Sequence, residues 1–121
     1  MEFNKYQEGA LETAQYPSVE VIGDGLVWGV DRIDFVYPAL GLTGEAGEVA
    51  EKCKKIIRDK GGNWDESDQV AIKKELGDVL WYVAVLAHEF DIELDDIATT
   101  NYEKLKSRKE RNVITGSGDD R

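Results

Sequence analysis

Four carboxylates stand at helical spacing in this sequence, as Glu45-x-x-Glu48 and, further along, Glu75-x-x-Asp78. Residues three apart on a helix are neighbours on one face, with Cβ atoms roughly 5–6 Å apart, so each pair can aim two carboxylates at one ion. Two such pairs on adjacent helices offer an all-oxygen set, which suits a hard divalent cation such as Mg²⁺, an ion that often binds phosphates as well. On a wheel of about 100° per residue with Leu42 at zero, Glu45 and Glu48 fall at roughly 300° and 240°, beside the apolar arc, while Glu51 falls at roughly 180°, opposite it. Glu51 therefore reads as solvated surface. On the following helix Glu75, Asp78 and Tyr82 share one flank. Acids at a core boundary repel and raise each other's pKa unless a cation compensates them. Lys52 and Lys55 share the Glu45/Glu48 flank and leave two readings open. They are either partners in a plain salt-bridged surface or contacts to a phosphate.

Other chemistry is scarce. The single histidine, His88, has Val85 three positions before it, so the Glu-x-x-His pairs of di-iron bundles are absent. The same scarcity removes the usual zinc sets and makes a Ser-His-Asp or Cys-His arrangement improbable. An EF-hand beginning at Asp91 fails, because its sixth and twelfth positions are Asp96 and Tyr102. His88 reads as a surface or interface residue. Cys53, central in an apolar arc, reads as a core filler. Gly41, Gly44 and Gly47 match neither a dinucleotide fingerprint nor a P-loop. They fit close helix packing or a helix start, and Gly77 fits a close helix crossing.

Helices are the elements that must position the acids. The pattern predicts a first helix over about Phe3–Gln15, stopped by Pro17, then a long glycine-interrupted loop from Tyr16 to Asp34. Loops of that length in compact domains are often functional. A second helix is expected from Asp34–Pro38 to about Asp59, with Lys60-Gly61-Gly62-Asn63 ending it. The third runs from Asp65–Asp68 to near Phe90, and the fourth from Leu94 or Asp95 to Arg111. The polar residues 113–121 form a tail without periodicity. Between Val79 and Ala87 the third helix is apolar all round, so it is expected to be buried on every side. This predicts that its far face, Trp81 and Val85, packs on another subunit. No strand ladder is legible. The expected fold is all-α, a small four-helix-type bundle filling one domain over 1–121.

The chain has 121 residues and a formal net charge of −10. That charge repels nucleic-acid polymers and anionic membranes. The longest apolar run is too short to span a bilayer. A single cysteine and the lack of a signal-like N-terminus make a reducing cytoplasm the expected compartment. The acidity is uneven. From Thr100 onward Lys104, Lys106, Arg108, Lys109, Arg111 and Arg121 outnumber Glu103, Glu110, Asp119 and Asp120. Asn101, Lys104, Arg108 and Asn112 fall on one helical stripe. Such a donor-rich stripe can receive a polyphosphate or can simply compensate the helix dipole.

The blocks Gly44-Glu45-x-x-Glu48, Glu75-Leu76-Gly77-Asp78-Val79-Leu80-Trp81 and Asn101-x-x-Lys104-Leu105-x-x-Arg108 resemble the MazG-like all-α nucleoside triphosphate pyrophosphohydrolases over about residues 35–112. The 26 residues between Glu48 and Glu75 make the paired motif fairly specific. The resemblance implies Mg²⁺-dependent hydrolysis, with Mn²⁺ as the alternative ion, of a (deoxy)nucleoside triphosphate between its α and β phosphates. It implies metal binding by Glu45, Glu48, Glu75 and Asp78. It also implies substrate contacts from Lys52 or Lys55, Tyr82, Asn101, Lys104 and Arg108. Glu48 is our choice for activating the water. Trp28, Phe35 and Tyr37 could stack on a base or belong to the core, and core is the expectation for Phe35. Family members assemble as dimers or tetramers, so a homo-oligomer through the third helix is expected. The rival reading is a non-catalytic helical interaction or metal-binding module.

Overall fold

The computed structural model describes residues 1–17 and 34–121. Among these, the chain forms four helices and no strand: α1 (Phe3–Glu12), α2 (Val36–Lys60), α3 (Glu66–Glu89) and α4 (Leu94–Glu110). Trp28 and most of the expected long loop lie outside the described residues. None of the described helices is long and apolar enough to cross a membrane.

The longest pairing is α2 against α3, an antiparallel hairpin whose turn is fixed locally. Gly61 takes the left-handed conformation (φ 58°) and the Gly62 N–H bonds back to the Ile56 carbonyl at 3.1 Å, a glycine-ended helix stop. Asp65 then starts α3 with a capping box. Its carboxylate accepts from the Ser67 and Asp68 amides, and the Asp68 side chain accepts from the Asp65 N–H. Lys60 closes the turn by reaching Asp65 at 2.9 Å and Asp68 at 2.6 Å.

The first helix is tied across the α3–α4 corner by two amide side chains. Buried Gln7 donates to the Ala84 and Ile92 carbonyls at 3.1 and 3.0 Å and accepts the Leu94 N–H at 3.0 Å. Asn4 accepts the Asp95 N–H at 2.9 Å. The residue before α4, Glu93, provides no side-chain cap of its own, so α1 satisfies the orphan amides of α4 from outside. Helix α1 ends at Glu12 rather than near Gln15, because the Thr13 hydroxyl turns back onto the Ala10 carbonyl at 2.9 Å.

The core lies where α1, α3 and the start of α4 meet. It is built on Ala10, Ala84, Val85 and Leu94, with Tyr6, Leu11, Tyr16, Trp81 and Tyr82 packed around them. This corrects the expectation for the far face of α3. Val85 is 0% exposed within the single chain, and the Trp81 indole donates to the Thr13 hydroxyl at 2.8 Å. Helix α1 therefore covers what was assigned to a partner. Uncovered apolar surface lies elsewhere, notably in an open groove of about 820 Å³ lined by Cys53, Ile56, Ile57, Trp64, Val70 and Leu76. Cys53 is exposed and is not a core filler. Phe35 is likewise exposed, although its ring meets that of Phe90 at 5.1 Å. Among the described glycines, only Gly41 serves a tight crossing. A Cβ there would lie 2.1 Å from Tyr82 Cε1, whereas Gly44, Gly47 and Gly77 face open space.

Candidate active site

The middle of the α2–α3 hairpin brings three acids together. The carboxylate oxygens of Glu45, Glu75 and Asp78 all lie within 4.8 Å of one another. Glu45 and Glu75 are half-buried and Asp78 is exposed, so the cluster sits at the rim of the interface and opens to solvent. Glu48, one turn along α2, is exposed and places no oxygen inside the cluster. It is close enough to act on the cluster by charge: burial, then Asp78, Glu75 and Glu48 in that order, push the Glu45 carboxyl above its ordinary range.

Basic compensation at the cluster is thin. Lys52 reaches across from α2 to Glu75 at 3.5 Å. Lys55 turns the other way and shares Glu51 with Lys54, at 3.6 and 2.6 Å. The two lysines left open by the sequence thus separate. Glu51, read as solvated surface, carries Lys54 and Lys55 as exposed ion pairs.

One side of the cluster is aromatic. Tyr82 lies over Gly41, and burial, the Tyr37 hydroxyl that shares a hydrogen bond with it, and the charges of Glu45 and Asp78 push its own hydroxyl upward. Tyr37 stacks on Tyr16 with ring centres 5.7 Å apart and planes 2° apart. Trp81 meets Tyr82 edge-on at 4.9 Å and Tyr16 edge-on at 6.4 Å. Tyr16 donates to Glu89. Tyr6 of α1 also belongs to this environment, since its hydroxyl is raised first by burial and then by Asp78. Neither Tyr6 nor Gly41 was assigned to the site from sequence. Tyr6 read as one apolar-face residue of α1, and no spacing signal links it to α3.

The fourth-helix residues stand apart. Helix α4 packs on α1, and among the described residues no hydrogen bond or ion pair joins Asn101, Lys104 or Arg108 to the acid cluster. Arg108 is 5% exposed. Its guanidinium donates to the Gly118 and Asp119 carbonyls and pairs with the Asp119 carboxylate at 3.3 Å, which Lys104 also reaches at 3.4 Å.

The family model for the MazG nucleotide pyrophosphohydrolase domain matches residues 38–113, from the first turn of α2 to just past α4. The Gene 37 protein of Mycobacterium phage L5 is 46% identical over 122 residues, with 100% of this chain and 100% of that protein covered. No solved structure matches.

Proposed function

The chain belongs to the MazG nucleotide pyrophosphohydrolase family, and from that premise we propose that it hydrolyses a nucleoside triphosphate between the α and β phosphates, releasing the monophosphate and pyrophosphate. The observation that carries this reading is the meeting of Glu45, Glu75 and Asp78 within 4.8 Å. The donor set is all oxygen, and its acids hold one another's charge with Lys52 alone ion-paired to them among the described residues. That imbalance fits a hard divalent cation, Mg²⁺ or Mn²⁺.

In this reading Glu45, Glu75 and Asp78 hold the metal. When bound, the metal offsets phosphate charge and polarises the phosphoryl oxygens. Glu48 stands one turn outside the cluster, which suits a carboxylate that orients the attacking water and takes its proton rather than one spent on coordination. Lys52 reaches the edge of the cluster from α2 and serves the phosphate chain, whereas Lys55 is engaged with Glu51 and contributes little. Tyr82 borders the acids, and the exposed face of Tyr37 is the stacking surface we assign to the base; Trp28, the other aromatic read from the sequence as a base contact, lies outside the described residues. To Asn101, Lys104 and Arg108 we assign a separate phosphate-binding role, since within the single chain they stand apart from the acids and Lys104 and Arg108 hold Asp119.

Assembly of two or more copies accompanies this reading. Ile57, Trp64 and Leu76 are 69, 65 and 52% exposed, more apolar surface in one groove than isolated chains usually leave in water. The contact would then use the first half of α3, not Trp81 and Val85.

Pyrophosphate release from a panel of NTPs and dNTPs with Mg²⁺, for wild type and Glu48→Gln, tests the proposal. Turnover of at least one nucleotide is expected, with Glu48→Gln slower by on the order of 10²-fold or more. If pure protein turns over none of them and Mg²⁺ leaves its melting temperature unchanged, a non-catalytic helical module is the correct reading.

A further inference from the structure

The basic stripe of α4 is already occupied, and the occupant is the chain's own C-terminal segment. Helix α4 ends with Asn112 in the left-handed region (φ 56°) and the Val113 N–H bonded to the Arg108 carbonyl at 2.8 Å, which sends the chain back along the helix. Gly116 and Gly118, at φ 122° and 87°, bend it again in a conformation that side chains resist. Arg121 then fastens the loop from within, donating to the Val113, Ile114 and Gly118 carbonyls, while Arg111 donates to the Arg121 carbonyl at 3.0 Å.

The result is a small shell of oxygens around a buried guanidinium. Arg108 Nη2 takes the Gly118 carbonyl, the Asp119 carbonyl and one Asp119 carboxylate oxygen. The same oxygen receives Lys104 Nζ, and these two cations hold the Asp119 carboxyl below its ordinary range. Yet Arg108 Nε, buried with the rest of the side chain, has no hydrogen-bond partner. A guanidinium is a planar fork that matches carboxylate or phosphate through two parallel bonds. Here Asp119 engages one nitrogen and leaves its neighbour on the fork unmet. A buried donor without a partner is costly, so the tail is a good but incomplete occupant. A phosphoryl group with several free oxygens could satisfy Nε and Nη2 together and still reach Lys104.

We propose that residues 116–121 act as an intramolecular stand-in for a polyphosphate, with the Asp119 carboxylate held in the Arg108/Lys104 oxyanion site until a phosphoanhydride ligand displaces it. The inference rests on reading the α4 stripe as substrate-facing and adds regulation to it. The segment competes with ligand for the same donors, so its local concentration sets a threshold for binding. Displacement frees the loop, and re-docking helps to expel the pyrophosphate product.

Calorimetric titration of the chain with inorganic pyrophosphate tests this, using wild type, Asp119→Ala, Gly118→Val, Asp120→Ala and Arg108→Gln. Gly118→Val forbids the docked turn without touching a charge. Asp120→Ala controls for the change in net charge. Pyrophosphate should bind Asp119→Ala and Gly118→Val roughly threefold to tenfold more tightly than wild type, a modest gain because the Asp119 side of the competing ion pair is solvent-exposed. Asp120→Ala should match wild type. Hydrogen exchange of residues 113–121 should speed up when pyrophosphate is added to wild type. Unchanged or weaker binding by both tail variants, with Arg108→Gln still impaired, overturns the stand-in while leaving the stripe as a phosphate site. Binding that is indifferent to Arg108→Gln overturns both. Slower exchange of the tail in the presence of pyrophosphate also overturns the proposal, since it would make the segment a cover over the ligand instead of its competitor.

Discussion

The middle of the α2–α3 hairpin and the far end of α4 are both dense in charge, but they are balanced in opposite ways. In the hairpin, Glu45, Glu75 and Asp78 crowd their oxygens within 4.8 Å, with Lys52 drawn to the edge at 3.5 Å. At α4, Arg108 and Lys104 draw their counter-charge from Asp119 of the same chain. A cluster left unbalanced by the fold needs something from outside, whereas a balanced one must first release what it holds. The net charge of −10 is therefore unevenly held: the hairpin acids crowd one another around one lysine, whereas Asp119 is shared by two cations.

The largest effect should come from relieving the imbalance. Glu45→Gln removes the acid whose carboxyl burial and the neighbouring acids push above its ordinary range. Turnover should fall by at least about 10²-fold, because even changes one shell beyond a metal's ligands cost 10–100-fold in affinity or activity. The stability readout should have the opposite sign. In EDTA the variant should melt no lower than wild type, since a mutual repulsion has been removed, and the stabilisation given to wild type by added Mg²⁺ should disappear. A variant that melts lower in EDTA and still responds to Mg²⁺ would mean that Glu45 is a structural acid, and the contrast between the two regions would collapse.

A pair of glycines on α2 gives the next effect. At Gly41 a methyl group would lie 2.1 Å from Tyr82 Cε1, and at Gly44 it would meet nothing within 4 Å. Gly41→Ala should destabilise the chain by about 1–3 kcal/mol, as overpacking does, and should lower turnover by moving Tyr82 away from the acids. Gly44→Ala should stabilise by up to about 1 kcal/mol, since an exposed helical glycine carries an entropic cost. Thermal melts of both variants beside wild type decide the matter. Equal shifts would show that Tyr82 is free to move aside.

The four helices were legible because their stop signals are local. Gly61-Gly62 and the Asp65 cap sit where periodicity breaks, and the structure uses both. Three of the four acids expected at one site, Glu45, Glu75 and Asp78, do meet, but the i, i+3 spacing could not show that Glu48, one turn along α2, stays outside them. The role of α1 was not legible. Gln7 and Asn4 cap α4 from 87 and 91 positions away, and nothing in their spacing marks a polar residue as a distant cap. The same blindness misassigned Val85: an all-round apolar helix demands cover, and the periodicity cannot say whether α1 or another copy provides it. Cys53 failed for the converse reason. It lies on an apolar arc, but that arc faces the open groove beside Ile57 and Leu76. The separation of Lys52 from Lys55 was equally hidden, because each had an acid within reach on its own helix and only the packing of α3 placed Glu75 beside one of them.

The smallest effect concerns the turn that keeps the hairpin in register. Asp65 accepts from the Ser67 hydroxyl and amide, from Lys60 and from the Asp68 amide, and these partners hold its carboxyl well below the ordinary carboxylate range. Its folded value thus lies under its unfolded one, which is about 3.9. The stabilisation is complete above that unfolded value and is lost as pH falls toward the folded one. Asp65→Ala should lower the melting temperature by a few degrees at neutral pH, and the gap to wild type should narrow as both are melted at successively lower pH below about 4. Asp65→Asn keeps an oxygen for the amides and loses the charge opposite Lys60, so it should fall between the two and show less pH dependence. Turnover should barely move in either variant, since Asp65 belongs to the turn and not to the acids at its centre. A large loss of activity with an unchanged melting temperature would instead place this end of the hairpin in the site, joining it to the Lys52, Lys55 and Lys60 cleft that runs beneath it.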